Sequence, residues 1–199
     1  MSEQTIKSVV SGVAVVLTFV AFYPYLKAIL SNRIRPHFFS WIIWGITTLV
    51  AFLGQVAGDG GVGTIPIGLS AILTFLIAFL AYKRRADLSI HYSDWIYLIA
   101  AGLALPVWWL TANPLWAVVI MTTIDLFGFG PTLRNAYQHP DNEDPVFYLI
   151  FSFRNLLAIY ALEVYSMTTI LFPAAITFAG VIVAMVIWMG RRRLAGQRN

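Results

Sequence analysis

Two charged side chains stand where charge is least welcome. Asp125 falls within "WAVVIMTTIDLFGFG" (residues 116–130), and Arg154 with Asn155 falls within "VFYLIFSFRNLLAIY" (residues 146–160). A helix rising about 1.5 Å per residue puts Asp125 roughly 15 Å into a hydrocarbon layer, close to its centre. A charged group there costs about 2.5 to 3.5 kcal/mol, so it must face protein or enclosed water and be paired or protonated. Burial disfavours a carboxylate's charged form and a nearby cation favours it. An aspartate held between those pulls can load and release a proton; a fixed pair with Arg154 is the structural alternative. Arg154 keeps its proton in any protein setting. It requires a carboxylate, backbone carbonyls, water or an anionic ligand: Asp125 is the internal candidate, and a solute bearing a carboxylate or phosphate is the external one, gripped through two parallel N–H donors. Glu163, further along the same segment, is expected at the water interface.

A second tier of residues has weaker chemistry. Trp41 and Trp44 are one helical turn apart and share a face, where they either stack on a flat solute or join an interfacial belt. Ser70 and Thr177 each lie four residues after a proline, Pro66 and Pro173. They either satisfy carbonyls freed by those prolines or line a pathway. Pro24 and Pro131 lie well inside apolar runs, as static kinks or as hinges. The three histidines, His37, His91 and His139, show no ligand spacing, and cysteine is absent, so no metal site and no cofactor is expected. No nucleophile stands with a base, which argues against an enzyme. The stretch 168–190 has no lysine for a Schiff base, which argues against a retinal protein.

The elements that hold these residues follow from composition. The chain is 59% hydrophobic and 11% charged with a mean hydropathy of +0.77, against roughly 25% charged residues in an ordinary soluble domain. Apolar runs at 8–30, 38–57, 64–82, 95–112, 115–137, 146–165 and 168–190 predict seven membrane-spanning helices. Turns fall at "GDGGVG" (58–63), "KRRADLSIHYSD" (83–94), Asn113 with Pro114, and "HPDNEDP" (139–145). With the amino terminus outside, Lys27, Arg33, Arg35, Lys83, Arg84, Arg85, Arg134, Arg191, Arg192, Arg193 and Arg198 all fall on the cytoplasmic side, leaving only Lys7 opposite. That asymmetry explains the net charge of +4 without nucleic acid. Asp141, Glu143 and Asp144 form either a solvated loop or a partner for the basic first loop. Trp95, Trp108, Trp109, Trp116 and Trp188 lie near predicted helix ends, as an aromatic belt would.

The chain also repeats itself. "PYLK" at Pro24 pairs with "PTLR" at Pro131, "PHFF" with "PVFY", and Pro66 with Pro173; Thr18 is the partner of Asp125. The expected organisation is a first three-helix repeat (1–85), a linker helix (86–114) and a second three-helix repeat (115–199) with a basic cytoplasmic tail. Parallel repeats of this kind place a solute site near the midplane between them.

Three helices, one linker and three helices, with a proline in the first helix of each unit, resemble the SWEET and PQ-loop superfamily over nearly the whole chain. "RPHFFSWIIWG" and "DLFGFGPTLRNAYQHP" are most similar to its bacterial members. The resemblance implies a multi-pass protein of a prokaryotic plasma membrane that carries a small polar solute (sugar, amino acid or vitamin-like) by alternating access. It assigns proton coupling to Asp125, because proton-coupled PQ-loop transporters carry an aspartate in this helix. Relatives that act as receptors or scaffolds give the alternative, binding without transport. The family's Pro-Gln dipeptide is here Pro24-Tyr25 and Pro131-Thr132. Its second-helix hinge prolines correspond to Ile43 and Ile150, and the paired asparagines of SWEETs to Pro66 and Ala174. Two repeats in one chain complete a pathway, so the sequence sets no oligomeric state.

Overall fold

Hydrocarbon offers no partner to backbone N–H and C=O groups, so apolar segments of this length close their hydrogen bonds internally as helices. The computed structural model describes residues 2–32, 38–83, 92–138, 140 and 145–197. Among them the chain is helical throughout: α1 (Glu3–Leu30), α2 (Phe38–Ala57), a 3₁₀ turn (Gly61–Thr64), α3 (Ile65–Lys83), α4 (Tyr92–Thr111), α5 (Pro114–Gln138), α6 (Pro145–Tyr160) and α7 (Met167–Gln197). Three stretches, Glu3–Leu30, Gly61–Lys83 and Met167–Ala195, are long and apolar enough to cross a bilayer. Trp41–Ala57, Pro114–Phe129 and Pro145–Tyr160 are shorter apolar helices. These helices mark the chain as a membrane protein.

Helix ends depart from the apolar runs where polar groups decide them. α1 starts five residues before its greasy stretch because Ser2 accepts the Thr5 N–H at 3.3 Å, Glu3 occupies the first turn, and Lys7 reaches Glu3 at 3.1 Å. α7 carries Arg191, Arg192 and Arg193 beyond its apolar part, with Arg193 donating to the Tyr137 carbonyl at 3.0 Å and lying over the Tyr137 ring. α6 stops at Tyr160, short of the expected 165. The next residues, Ala161 and Leu162, are fully buried against the 3₁₀ turn, where the Glu163 N–H donates to the Gly60 carbonyl at 3.1 Å.

α3 packs against both α1 and α2, and α7 against both α5 and α6; among the described residues the backbones of α1 and α2 do not approach closely, although the Tyr25 and Trp41 rings meet, nor do those of α5 and α6. α1 lies on α6, α2 lies on α5 and touches α7, α3 touches α6, and α4 covers α5 and α2. One apolar cluster joins Ala51, Ile67, Val118, Phe172 and Ile176, with Phe52, Phe129 and Phe151 packed on it, so five helices share it. A second, built on Ile43, Val50, Ala117, Met121 and Ile124, holds α2 to α5. Large apolar side chains such as Val16, Ile72 and Phe178 face outward, the inverse of a water-soluble surface and the pattern a lipid-facing wall requires.

Of the five tryptophans expected at helix ends in a belt, Trp95, Trp109, Trp116 and Trp188 are exposed. Trp108 instead packs on the cluster of Ile43 and Met121, because it lies on the face of α4 that covers α2 and α5. The loop charges Arg33, Arg35, Arg84, Arg85, Asp141, Glu143, Asp144 and Arg198, and the histidines His37, His91 and His139, lie outside the described residues.

The 3₁₀ turn is the tightest joint. A methyl group on Gly63 would sit 2.5 Å from the Leu162 nitrogen and 2.7 Å from the Ala161 carbonyl carbon, both backbone atoms that cannot swing aside. Gly63→Ala is therefore expected to lower stability by about 1 to 3 kcal/mol. Gly12→Ala, where the added methyl meets nothing within 4 Å, should cause no loss. Thermal unfolding of the two variants in one detergent checks the contrast.

Candidate functional site

The inner face of α5 is written by its buried residues Ala117, Val118, Met121, Thr122, Ile124 and Asp125, a helical stripe that turns the aspartate toward α2. Asp125 is 7% exposed. Thr47, fully buried on α2, has its hydroxyl 2.5 Å from Asp125 Oδ1 and 3.0 Å from the Trp44 carbonyl. A hydroxyl has one proton to give. An ionised Asp125 accepts that proton. A protonated Asp125 donates to Thr47, which then donates to the Trp44 carbonyl. Both states keep the Thr47–Asp125 bond with the heavy atoms in place, so that contact tolerates gain and loss of a proton.

The corresponding stripe on α6 is Ser152, Arg154, Asn155 and Ala158. Arg154 is 1% exposed. Its Nη1 donates to Asn155 Oδ1 at 2.9 Å, its Nη2 donates to Ser70 Oγ on α3, and its guanidinium lies 4.7 Å from the centre of the Phe151 ring. Its Nε has no partner. Asn155 is itself held by a bond from Nδ2 to the Phe151 carbonyl at 3.0 Å, and Ser70 donates to the Pro66 carbonyl at 3.0 Å.

Asp125 and Arg154 do not pair. Among the described residues the ion pair is Lys7 with Glu3. The reason is topological: the aspartate is on α5 and the arginine on α6, two helices that do not pack on each other, and each reaches the helix it does meet. Two contacts, Thr47 with Asp125 and Ser70 with Arg154, are side-chain-to-side-chain hydrogen bonds that join different helices.

The remaining candidates are distributed around this pair of crossings. Trp41 and Trp44 are half-buried and meet edge to face, 5.4 Å between ring centres, with Trp41 also 5.0 Å from the Tyr25 ring of α1. A methyl on Gly128 would lie 3.2 Å from Trp44 Nε1, so the glycine lets the indole approach α5 one turn from Asp125. Thr18 is buried and donates to the Ala14 carbonyl of its own helix at 2.8 Å. Thr177 donates to the Pro173 carbonyl at 2.7 Å, as Ser70 does to that of Pro66. α1 runs unbroken through Pro24, which is exposed, and α5 runs through position 131.

A proline leaves the carbonyl four residues earlier without its helical donor. For Pro173 that is Thr169; for Pro66, at the start of α3, it is Val62, whose carbonyl already accepts the Ile65 N–H. Ser11 of α1 donates to the Val62 carbonyl at 2.6 Å, and Gln55 of α2 donates to the Thr169 carbonyl at 2.8 Å. Sequence reasoning offered this repair as one of two roles for Ser70 and Thr177, which bond the proline carbonyls themselves, while the Val62 and Thr169 carbonyls meet side chains from other helices. Thr47, Ser11 and Gln55 were not among the expected residues. A count of four back from Pro173 finds the needy carbonyl, but only packing reveals its donor.

Two clefts open on the described surface. One, about 330 Å³, is lined by Val56, Asp59, Gly61, Thr64 and Glu163, so Glu163 is exposed as expected. The other, about 540 Å³, is an apolar groove that includes Phe19, Tyr23, Pro24 and Leu73. Neither is lined by Asp125 or Arg154. Fold and site together define an all-helical membrane protein with an acid and a guanidinium buried at separate helix crossings. No family model, curated protein or solved structure matches the chain.

Thr47→Val keeps the shape but removes the one hydrogen-bond partner of Asp125, and is expected to cost about 1 to 2 kcal/mol. Thr47→Ser restores the hydroxyl and should recover most of that loss in the same thermal measurement.

Proposed function

We propose that this chain is a carrier of the SWEET and PQ-loop type, and not an enzyme. In this reading seven helices span a prokaryotic plasma membrane, amino terminus outside and carboxyl terminus in the cytoplasm. Two three-helix units, 1–85 and 115–199, are joined by a linker, 86–114, and move a small polar solute by alternating access. Asp125 carries a coupled proton.

The observation that carries the reading is the pattern of packing. Exchange α1, α2 and α3 for α5, α6 and α7, and the neighbours map onto themselves: α2 on α3 becomes α6 on α7, α1 on α3 becomes α5 on α7, and α1 on α6 becomes α5 on α2. Even the slight contact of α3 with α6 has its counterpart in α7 with α2. The shift that carries Pro24 onto Pro131 and Pro66 onto Pro173 carries Thr18 onto Asp125 and, taken through the second helix without the two extra loop residues that align "PHFF" with "PVFY", Thr47 onto Arg154. The charges thus occupy positions that hold threonines in the first unit.

Both polar cross-links, Thr47 to Asp125 and Ser70 to Arg154, run from one proposed unit to the other. Each joins a charged group to a neutral hydroxyl, a bond weak enough to break and remake as the units rock. A direct buried ion pair would hold the seam shut more firmly.

The test is uptake into proteoliposomes, with the solute chosen by a thermal-shift screen of sugars, amino acids, nucleosides, vitamins and organic acids. A pH difference of one unit supports at most about tenfold accumulation at one proton per solute. Gradient-driven accumulation is expected in the parent and absent in Asp125→Asn. Equal accumulation in both would remove the proton role, and saturable binding without uptake would make the chain a receptor.

A further inference from the structure

The guanidinium of Arg154 is buried and only partly satisfied. It is 1% exposed, permanently charged, and held only by neutral oxygens from Asn155 and Ser70. Its Nε has no partner at all. Nε and Nη2 lie on the same edge of the planar group, and two N–H bonds on one edge match the two oxygens of a carboxylate. A buried cation without a counter-ion is costly, and Asp125, the only other buried charged residue among those described, bonds elsewhere.

We infer that Arg154 is the binding residue for a small organic monocarboxylate, taken through the Nε and Nη2 edge with Ser70 and Asn155 steadying the guanidinium. The inference rests on the carrier reading and names its cargo. Two observations select this class. The charge is single, so a doubly ionised phosphate would leave an uncompensated negative charge. The surroundings are apolar, with the Phe151 ring against the guanidinium and the cluster of Ile67, Phe172 and Ile176 sharing that ring, which favours a hydrocarbon body over a hydroxylated one. Arg154 is 1% exposed and lines neither cleft described above, so a ligand gains access to it when the helices part.

Charge balance links this site to Asp125. With no cargo, Arg154 positive and Asp125 negative sum to zero. With a carboxylate on Arg154 and a proton on Asp125 they again sum to zero. The buried seam then crosses between its two facing states without net charge in either, which is the condition hydrocarbon imposes.

Full-length purified protein titrated with propionate and benzoate, and with the matching amides, in buffer free of other carboxylates provides the test. Both acids should raise the melting temperature, with the amides about ten- to a hundredfold weaker, the discrimination expected of a charge-assisted bond. Arg154→Gln should abolish the response, and its amide can still bond Ser70. Should Arg154→Gln fail to fold, Arg154→Lys carries the comparison: it keeps the charge, loses the two-pronged edge and should bind the acids more weakly than the parent. Glu163→Gln, at an exposed position, should respond as the parent does. Equal response to acids and amides, no response to either acid, preference for inorganic phosphate, or an acid response that survives both Arg154 variants would overturn the inference. An Arg154-dependent acid response without uptake into proteoliposomes would keep the site and end the transport reading. Uptake of an uncharged solute undisturbed by Arg154→Gln would end the carboxylate site and leave transport standing.

Discussion

A charge in hydrocarbon must be answered from within the protein, and here each of two buried charges is answered by a hydroxyl on a neighbouring helix. Each charged side chain costs about 2.5 to 3.5 kcal/mol to place at depth, whereas an interhelical hydrogen bond in a membrane returns about 0.6 to 2 kcal/mol. The hydroxyls therefore do not offset the charges. Apolar residues at 125 and 154 would pack the same crossings at lower cost, as they do at Ile124 and Ala158 beside them. The arrangement makes physical sense as chemistry held in readiness: the acid is wired for two protonation states, and the guanidinium has donors left over.

Backbone satisfaction imposes a second constraint, and it shapes the packing around the first. Pro173 strands the Thr169 carbonyl, which Gln55 on α2 satisfies, and Ser11 on α1 adds a second donor to the Val62 carbonyl, which already accepts the Ile65 N–H. In the proposed units the bond to Val62 stays inside one unit and the bond to Thr169 crosses to the other. The two halves share a plan of helix neighbours but differ in the polar bonds laid over it. Glycine permits the close approach these bonds need: a methyl on Gly54 would run into Val118 Cγ2, where α2 and α5 cross one or two turns from Thr47.

Hydropathy alone located all seven helices, because an apolar run long enough to cross a bilayer leaves little choice of conformation. Their ends were less legible. The start of α1 depends on the Ser2 cap, and the early stop of α6 depends on the burial of Ala161 and Leu162 beneath the 3₁₀ turn, a tertiary event. Asp125 and Arg154 stood out for the same reason the helices did, as charges in greasy surroundings. Their partners did not. Threonine and serine enter apolar helices cheaply and leave no mark on a hydropathy profile, so Thr47, 78 residues from Asp125, gave no signal. The acid–guanidinium pair, one of the alternatives open in the sequence, does not form because depth in the layer says nothing of which helices meet, and α7 packs on both α5 and α6. Trp108 shows the same blindness in reverse: a tryptophan near a helix end reads as a belt residue until the neighbouring helix is known.

The asymmetry of the two proposed halves carries the argument furthest. At positions 18 and 47 the first unit holds threonines, and at the equivalent positions the second holds Asp125 and Arg154. Opposite charges buried together keep the net charge of the interior at zero. Thr18 spends its hydroxyl on Ala14 within α1, while Thr47 turns its own toward Asp125, so the equivalent threonines have diverged as well. A strictly symmetric pair of units would bind a symmetric solute, or none. An acid at one crossing and a guanidinium at another leave the two crossings chemically distinct.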